Sequence, residues 1–365
     1  MNEKEQFILN LIKEDPFISQ SEIAEKTGLS RSAAAGYISS LARQGKILGR
    51  AYMLPDKKEV LCIGGANIDR KIQAIGKIES GTSNPSASSQ SCGGVARNIA
   101  ENLGRLGCDA SLMTAVGDDT EGSWLLGYTK DFVDITPSQT LPNTATGTYT
   151  AILDHDGEMT VAFADMALYD RIDSEFIEKR WGYIASAEIV LLDTNFPAEV
   201  LKKTISRCYE ESVPLCITPV SSPKVKKLPE NLMGVTWLIA NHDEAEALSG
   251  MKIDSDGDFF KAAEKIMKKG VEKVVITRGD KGLIFYTKEG EAGVLLPPKI
   301  KVQDVTGAGD SLVAGILYAH LKGLNTENAC KIGIACSMLT LQSEETVSPI
   351  LNNVRLQETF QQNFS

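Results

Sequence analysis

The sequence predicts an α/β fold with a doubly wound, mainly parallel sheet and a small β-sheet lid, preceded by a separate helical unit. Three observations predict it. From Val60 onward, apolar runs of four to six residues alternate with helical stretches, the pattern of strands buried on both faces. Residues 68–92 and 146–163 break that rhythm and read as antiparallel strand pairs. The first 55 residues instead show short amphipathic helices closed by a candidate hairpin. A chain of 365 residues is expected to hold two or three domains, placed here at 1–55 and 60–365.

In the first unit, Phe7, Ile8, Leu11 and Ile12 form one apolar stripe on a helix over 3–14, which Asp15-Pro16 ends. Ser19 is placed to cap a second helix from Gln20 to Lys26, and Thr27-Gly28-Leu29 makes a turn. Ser30 caps a third helix to about Arg43, with Ala34, Ile38 and Leu41 inward. Gly45 to Leu54 reads as a small hairpin, and the polar run Pro55 to Glu59 as a linker. This order is that of a winged helix-turn-helix, a DNA-binding unit, although dimerisation or packing is the alternative.

In the second unit, strands are expected at Val60–Ile63, 111–116, Ile189–Asp193, 214–217, 236–240 and 274–277. Asp156-Gly157 is a hairpin turn signal inside the second lid region. A lid of this kind suits a site that must exclude water.

Composition narrows the function. The chain carries a formal charge of −10, is 42% hydrophobic, and has no apolar run long enough to span a bilayer. Residues 1–55 hold seven basic and six acidic side chains, so the strongly acidic remainder argues against a general nucleic-acid grip. Any DNA contact is expected from residues 1–55, through Arg31, Ser32, Ser39, Arg43, Lys46 and Arg50. The seven scattered cysteines read as reduced thiols, and the N-terminus lacks signal-peptide order, so a cytoplasmic location is expected. No membrane contact is expected. The three histidines are too far apart in sequence to suggest a metal cluster.

Four motifs fall at strand mouths, where ligands bind in open α/β sheets, and a fifth opens a late helix. After the first strand, Asn67 and Asp69 lie two apart on one face and can fork onto vicinal hydroxyls, unless they only form a polar turn. Gly93 and Gly94 let a ligand approach the backbone, and Asn98 projects from the helix that follows. Asn241 and Glu244 share a helix face and can hold Mg²⁺ through water, or merely cap the helix. Thr277, Gly279 and Gly282 form a turn able to cradle nucleotide phosphates. Asp304-Val305-Thr306-Gly307-Ala308-Gly309-Asp310 opens an apolar helix, so its amides and the helix dipole favour an anion. Asp310 then either caps that helix or takes a proton from a hydroxyl being phosphorylated.

In this order and spacing, over roughly residues 60–350, the motifs resemble the ribokinase-like (PfkB) family of sugar and nucleoside kinases. Within it, Ser83-Asn84-Pro85, the run Gly93 to Ala100, Asp154 to Met159 and Asn241 to Gly250 look most like pseudouridine kinases. The resemblance implies Asp310 as base, with Gly307, Ala308 and Gly309 as anion hole. It implies Asn67, Asp69, Gly93, Gly94 and Asn98 around the acceptor, joined by Asp310. Thr277, Gly279, Gly282, Thr306, Gly307 and Gly309 then line the ATP site with Asn241 and Glu244. The metal-binding residues are expected to be Asn241 and Glu244 for Mg²⁺, with Asp304 near a K⁺ ion. Such kinases often pair through their lids, so a homodimer is expected. The acceptor is expected to be pseudouridine or a related nucleoside, with free ribose as the alternative. A sugar-sensing regulator that has lost catalysis is disfavoured by the intact Asp310, Asn241 and Glu244.

Overall fold

The computed structural model describes residues 2–44, 46–47 and 59–364. The hairpin expected from Gly45 to Leu54, Arg50 included, and most of the linker after it lie outside the described residues. Helices α1 (Glu3–Glu14), α2 (Gln20–Thr27) and α3 (Arg31–Arg43) follow the expected order. Reciprocal capping boxes start the first two, Asn2 with Glu5 and Ser19 with Glu22. Gly28, at φ +66°, ends α2 in a left-handed turn that a side chain would strain. Ile8, Ile23, Ala24, Ala34 and Leu41 make a small core of their own. On the outer side of α3, Arg31, Ser32, Gly36, Ser39 and Arg43 are exposed.

The strands are β1 (Val60–Ile63), β2 (Asn67–Ala74), β3 (Ser86–Gly93), β4 (Ala110–Met113), β5 (Ala115–Gly117), β6 (Gln139–Leu141) and β7 (Thr148–Leu153). They continue as β8 (Met159–Asp165), β9 (Ile189–Asp193), β10 (Leu215–Thr218), β11 (Val235–Asn241), β12 (Lys273–Thr277), β13 (Leu283–Thr287) and β14 (Ala292–Leu295). Between them run α4 (Val95–Arg105), α5 (Thr120–Thr129), α6 (Ser174–Lys179), α7 (Trp181–Ser186), α8 (Ala198–Glu210) and α9 (Ser222–Val225). Next come α10 (His242–Ser249), α11 (Asp256–Met267), α12 (Ala308–Leu321), α13 (Thr326–Leu341) and α14 (Asn353–Phe364).

The main sheet has the order β14-β13-β12-β11-β10-β9-β1-β4. From β4 to β12 every pairing is parallel, and β13 and β14 close one edge antiparallel. Successive strand residues feed two different cores. Val60, Cys62, Leu191 and Ile239 pack toward α4, α12 and α13. Leu61, Ile63, Leu192 and Leu238 pack toward α6, α8, α10 and α11. This two-sided burial is why the strands read as unbroken apolar runs.

The lid is the sheet β3-β2-β7-β8, with Gly157 turning the β7–β8 hairpin. The expected strand over 111–116 is two strands, because β5 leaves the main sheet to pair with β6. No described helix is long and apolar enough to cross a membrane. All seven cysteines are free and buried.

The N-terminal helices rest on the segment joining α6 to α7. Lys179 pairs with Asp15 and Glu22, and Arg180 reaches Asp15 at 3.5 Å. The Arg180 guanidinium also lies over the Phe17 ring, which meets Tyr183 edge-on. Burial pushes the Glu22 carboxyl up, but Lys179 and the Ser19 cap outweigh it and hold the group at about 2.

Candidate active site

The six parallel strands all point the same way, so the residues that follow them lie along one edge of the sheet. Beyond β1, the backbone turns at Gly64-Gly65 and leaves as lid strand β2, which begins with Asn67. Beyond β3, Gly94 takes φ +102° and starts α4. A side chain there would strike Gly65 and Ala66, so the two turns touch backbone to backbone. That contact brings Asn67 and Asp69, from one turn, beside Asn98, from the other. Asn67 Nδ2 donates to Asp69 Oδ1 at 2.6 Å.

Asn98 is held from behind by Arg97, whose side chain is 1% exposed. Arg97 Nη1 donates to Asn98 Oδ1 at 3.0 Å and to the Cys92 carbonyl at 2.8 Å, while Nη2 pairs with Glu101 and Nε donates to Thr129 Oγ1 at 3.3 Å. With its oxygen accepting from a cation, the Asn98 amide presents Nδ2 forward, 2.8 Å from Asp310 Oδ2. Asp310 keeps part of its surface open to the cleft. Burial of its carboxyl, with Asp193 and Asp69 nearby, pushes its pKa up to about 7, against the lowering effect of Asn98 and Arg97. A carboxyl at that value can accept a proton near neutrality. Burial likewise raises Asp69.

Asp310 lies in the first turn of α12. Gly307 caps that helix at φ +79°, where a Cβ would meet the Thr346 carbonyl. Ala308 N–H turns to the Val305 carbonyl at 3.4 Å and Ser311 N–H to that of Gly307 at 2.9 Å, which leaves the Gly309 and Asp310 amides at the positive end of the helix for an anion. Space around Gly309 is open.

Asn241 and Glu244 form a capping box at α10: each side chain accepts from the other's backbone N–H at 2.9 Å. Capping is therefore what these two side chains do in the folded chain, and it was one of the two expectations. Burial pushes Glu244 up to about 7. Its Oε2 takes the Asn241 amide. Oxygen donors of this kind suit a hard divalent cation.

Thr277 ends β12, and Gly279 and Gly282 shape the turn after it. Arg278 has a structural part: it donates to Asp256 Oδ1 at 2.9 Å and to the Lys281 carbonyl at 2.7 Å, tying the turn to α11. Asp304, near whose backbone a K⁺ ion is expected, spends its side chain on protein partners. Its Oδ1 accepts from Thr306, through both N–H and hydroxyl, and its Oδ2 pairs with Lys71 of β2 at 2.6 Å. Burial raises this carboxyl, but Lys71 and Thr306 outweigh it and hold it at about 2.

Four contributors carry no motif. Lys71 follows Asn67 and Asp69 at period two on one lid face, a signal that was readable. Tyr169 is 1% exposed; its hydroxyl donates to the Ala66 carbonyl and accepts from the Ala66 N–H, both at 2.6 Å. Asp193 and Asn195 lie at the mouth of β9. An acidic residue closing an apolar strand was the only trace of Asp193 in the sequence.

The sequence profile described as pfkB family carbohydrate kinase matches residues 57–353, and that of a winged helix-turn-helix DNA-binding unit matches residues 1–47. The chain is 31% identical over 353 residues to the uncharacterized sugar kinase YeiI of Escherichia coli strain K12, covering 96% of this chain and 97% of that one. It is 33% identical over 298 residues to the pseudouridine kinase of the same strain, covering 81% and 95%. Among solved structures, a carbohydrate kinase from Agrobacterium tumefaciens matches with a TM-score of 0.72 at 28% identity, over 83% of this chain and 97% of that one. An Arabidopsis thaliana ribokinase complexed with ribose and ATP shares the fold, with a TM-score of 0.73 at 20% identity, over 84% and 99%. The chain belongs to the pfkB family of carbohydrate kinases: it is an ATP-dependent phosphotransferase that acts on a hydroxyl group of a sugar or nucleoside and carries an N-terminal winged helix-turn-helix.

Proposed function

We propose that the protein phosphorylates the 5′-hydroxyl of pseudouridine or a closely related nucleoside. The observation that supports this reading is the Asn98–Asp310 hydrogen bond near Asn67 and Asp69: a carboxylate able to accept a proton neighbours amide and carboxylate groups of the kind that can fork onto vicinal hydroxyls. Asn67, Asp69 and Asn98 bind the ribose and aim its 5′-oxygen at the γ-phosphorus. Asp310 takes the hydroxyl proton as the new O–P bond forms, and ADP leaves. Amides at the start of α12 hold the transferring phosphoryl group, with charge neutralised in place. Mg²⁺, when bound, would offset the phosphate charge; Asn241 and Glu244 would hold it, and Thr277, Gly279 and Gly282 would line the nucleotide. Lid strands carrying Asp69 and Lys71 exclude water that would hydrolyse ATP.

Similarity to a pseudouridine kinase supports the nucleoside over the free sugar. A free-sugar kinase is the second reading, favoured by the similarity to YeiI across nearly the whole chain. A screen of nucleosides and pentoses with ATP decides between them. Pseudouridine is expected to exceed ribose in kcat/KM, and better use of ribose would select the second reading.

For residues 1–47 we infer DNA binding through the exposed side of α3, with two copies paired through their lids. The apolar side chains Met159, Val161 and Phe163, exposed on β8, support that pairing. Few cations are available, so binding is expected to be modest and steeply lost with salt. Mobility-shift assays at low salt with DNA from the protein's own operon test it, and no shift at any protein concentration would overturn it.

A further inference from the structure

Asp193 is fully buried at the end of β9, in the middle of the sheet, yet no motif claims it. Its Oδ2 accepts from the Gly65 N–H at 2.8 Å, from the Ala96 N–H at 3.2 Å and from Asn195 Nδ2 at 2.9 Å. Its Oδ1 accepts from the Asn195 N–H at 2.8 Å. One carboxylate therefore gathers the turn that follows β1, the first turn of α4 and its own loop. Space around it is filled: a Cβ on Gly64 would enter the Asp193 carboxylate, and one on Gly65 would enter the Asn195 amide. The Asn195 amide oxygen is in turn held by Lys224 Nζ at 2.6 Å. Burying a carboxylate is costly unless donors surround it, and here four N–H bonds do so.

We propose that Asp193 is a positioning residue for phosphoryl transfer: it ties the Gly65 turn to the start of α4 and so sets Asn67, Asp69 and Asn98 at their working distance from Asp310. The inference rests on the reading of those residues as acceptor pocket and base. Gly65 lies two residues before Asn67, and Ala96 two residues before Asn98, so slack in either amide moves a substrate-facing side chain. The charge of Asp193 has a second effect. The charged groups acting on Asp310 are Asp193 from β9, Asp69 from β2 and Arg97 from α4, with the first two raising its pKa and Arg97 lowering it. Removing the Asp193 charge lets Asp310 ionise at lower pH.

The test compares Asp193→Asn, Asp193→Glu and Asp310→Asn as full-length enzymes. Asparagine at 193 cannot accept from all the present donors with one oxygen. We expect Asp193→Asn to raise the acceptor KM at least about tenfold, leave the ATP KM nearly unchanged, and move the acid limb of kcat/KM to lower pH. Asp193→Glu keeps the charge but displaces it; its acid limb should stay in place while the acceptor KM still rises. Equal changes in both KM values, or an acceptor KM and pH profile like wild type in Asp193→Asn, would overturn the inference. Should the Asp193 variants not fold, Gly65→Ala presses on the same junction from the opposite side and must also raise the acceptor KM alone; an unchanged value there overturns the inference as well. Asp310→Asn separates the two readings. If it keeps turnover, the base assignment fails; if it is inactive while Asp193→Asn behaves as wild type, only the inference about Asp193 fails.

Discussion

Asn98 Nδ2 donates to Asp310 Oδ2 at 2.8 Å, and the same amide's oxygen accepts from Arg97. The buried guanidinium thereby decides which way the amide faces. Replacing Asn98 with Ala removes a bond that lowers the Asp310 pKa, so the acid limb of kcat/KM should move to higher pH. The loss in kcat/KM should be roughly 10- to 100-fold, and the pH profile of the purified variant checks both. An acid limb that stays in place would separate Asn98 from the base.

Asp310→Asn should lower kcat by at least about 10²-fold with ATP binding nearly intact. Single-turnover kinetics and ATP titration measure the two separately.

Stability carries the same signature with a definite sign. Burial raises the folded-state pKa of Asp310 and of Glu244 to about 7. Groups raised in this way favour the folded state fully below the ordinary carboxyl range, and that contribution is lost as pH rises through about 7. Asp310→Asn should therefore melt higher than wild type at pH 8, by about 2–4 °C, and the gap should close at pH 4. Differential scanning at the two pH values tests it.

Lys71 of the lid pairs with Asp304 at the entrance to α12. Both groups keep contact with water, so the pair is screened and its effect is modest. Lys71→Met should raise the acceptor KM roughly two- to fivefold, increase ATP hydrolysis without acceptor, and abolish any sensitivity of these values to added salt that arises at this pair. Steady-state assays across a salt series read all three.

The docking of the N-terminal helices predicts a divided outcome. A chain beginning at Lys57 keeps β1 whole and should retain kinase turnover. It loses Asp15 and Phe17 from Arg180, whose side chain is fully buried, and should melt below the full chain. Asp15→Ala should reproduce a part of that loss, with kcat unchanged. A truncated chain that melts like the full one would show the contact to be energetically idle.

Much of this architecture was legible because its determinants are local. Parallel strands buried on two faces are unbroken apolar runs, and the motif glycines stand next to the residues they place. Asp193 was not legible, since the amides it gathers are 128 and 97 residues away along the chain. Arg97 was unreadable for a similar reason: nothing in helix periodicity says that an arginine will be buried on a glutamate one turn ahead. The edge strands β13 and β14 were missed because Leu283–Thr287 follows a glycine turn and pairs antiparallel, outside the alternation with helices. Pairing of Lys71 with Asp304 needs the lid to fold back over the sheet, which only the assembled chain displays.

The floor of the proposed acceptor pocket is two glycine turns in direct backbone contact, with Gly94 against Gly65 and Ala66. No side chain can be added or exchanged there without parting the turns. The part of the proposed pocket open to redesign is thus on the lid, in the row of β2, β3 and β7 where Lys71, Ser89 and Ala151 stand side by side in register. A library meant to retarget this enzyme to another acceptor should vary that row and leave the floor untouched.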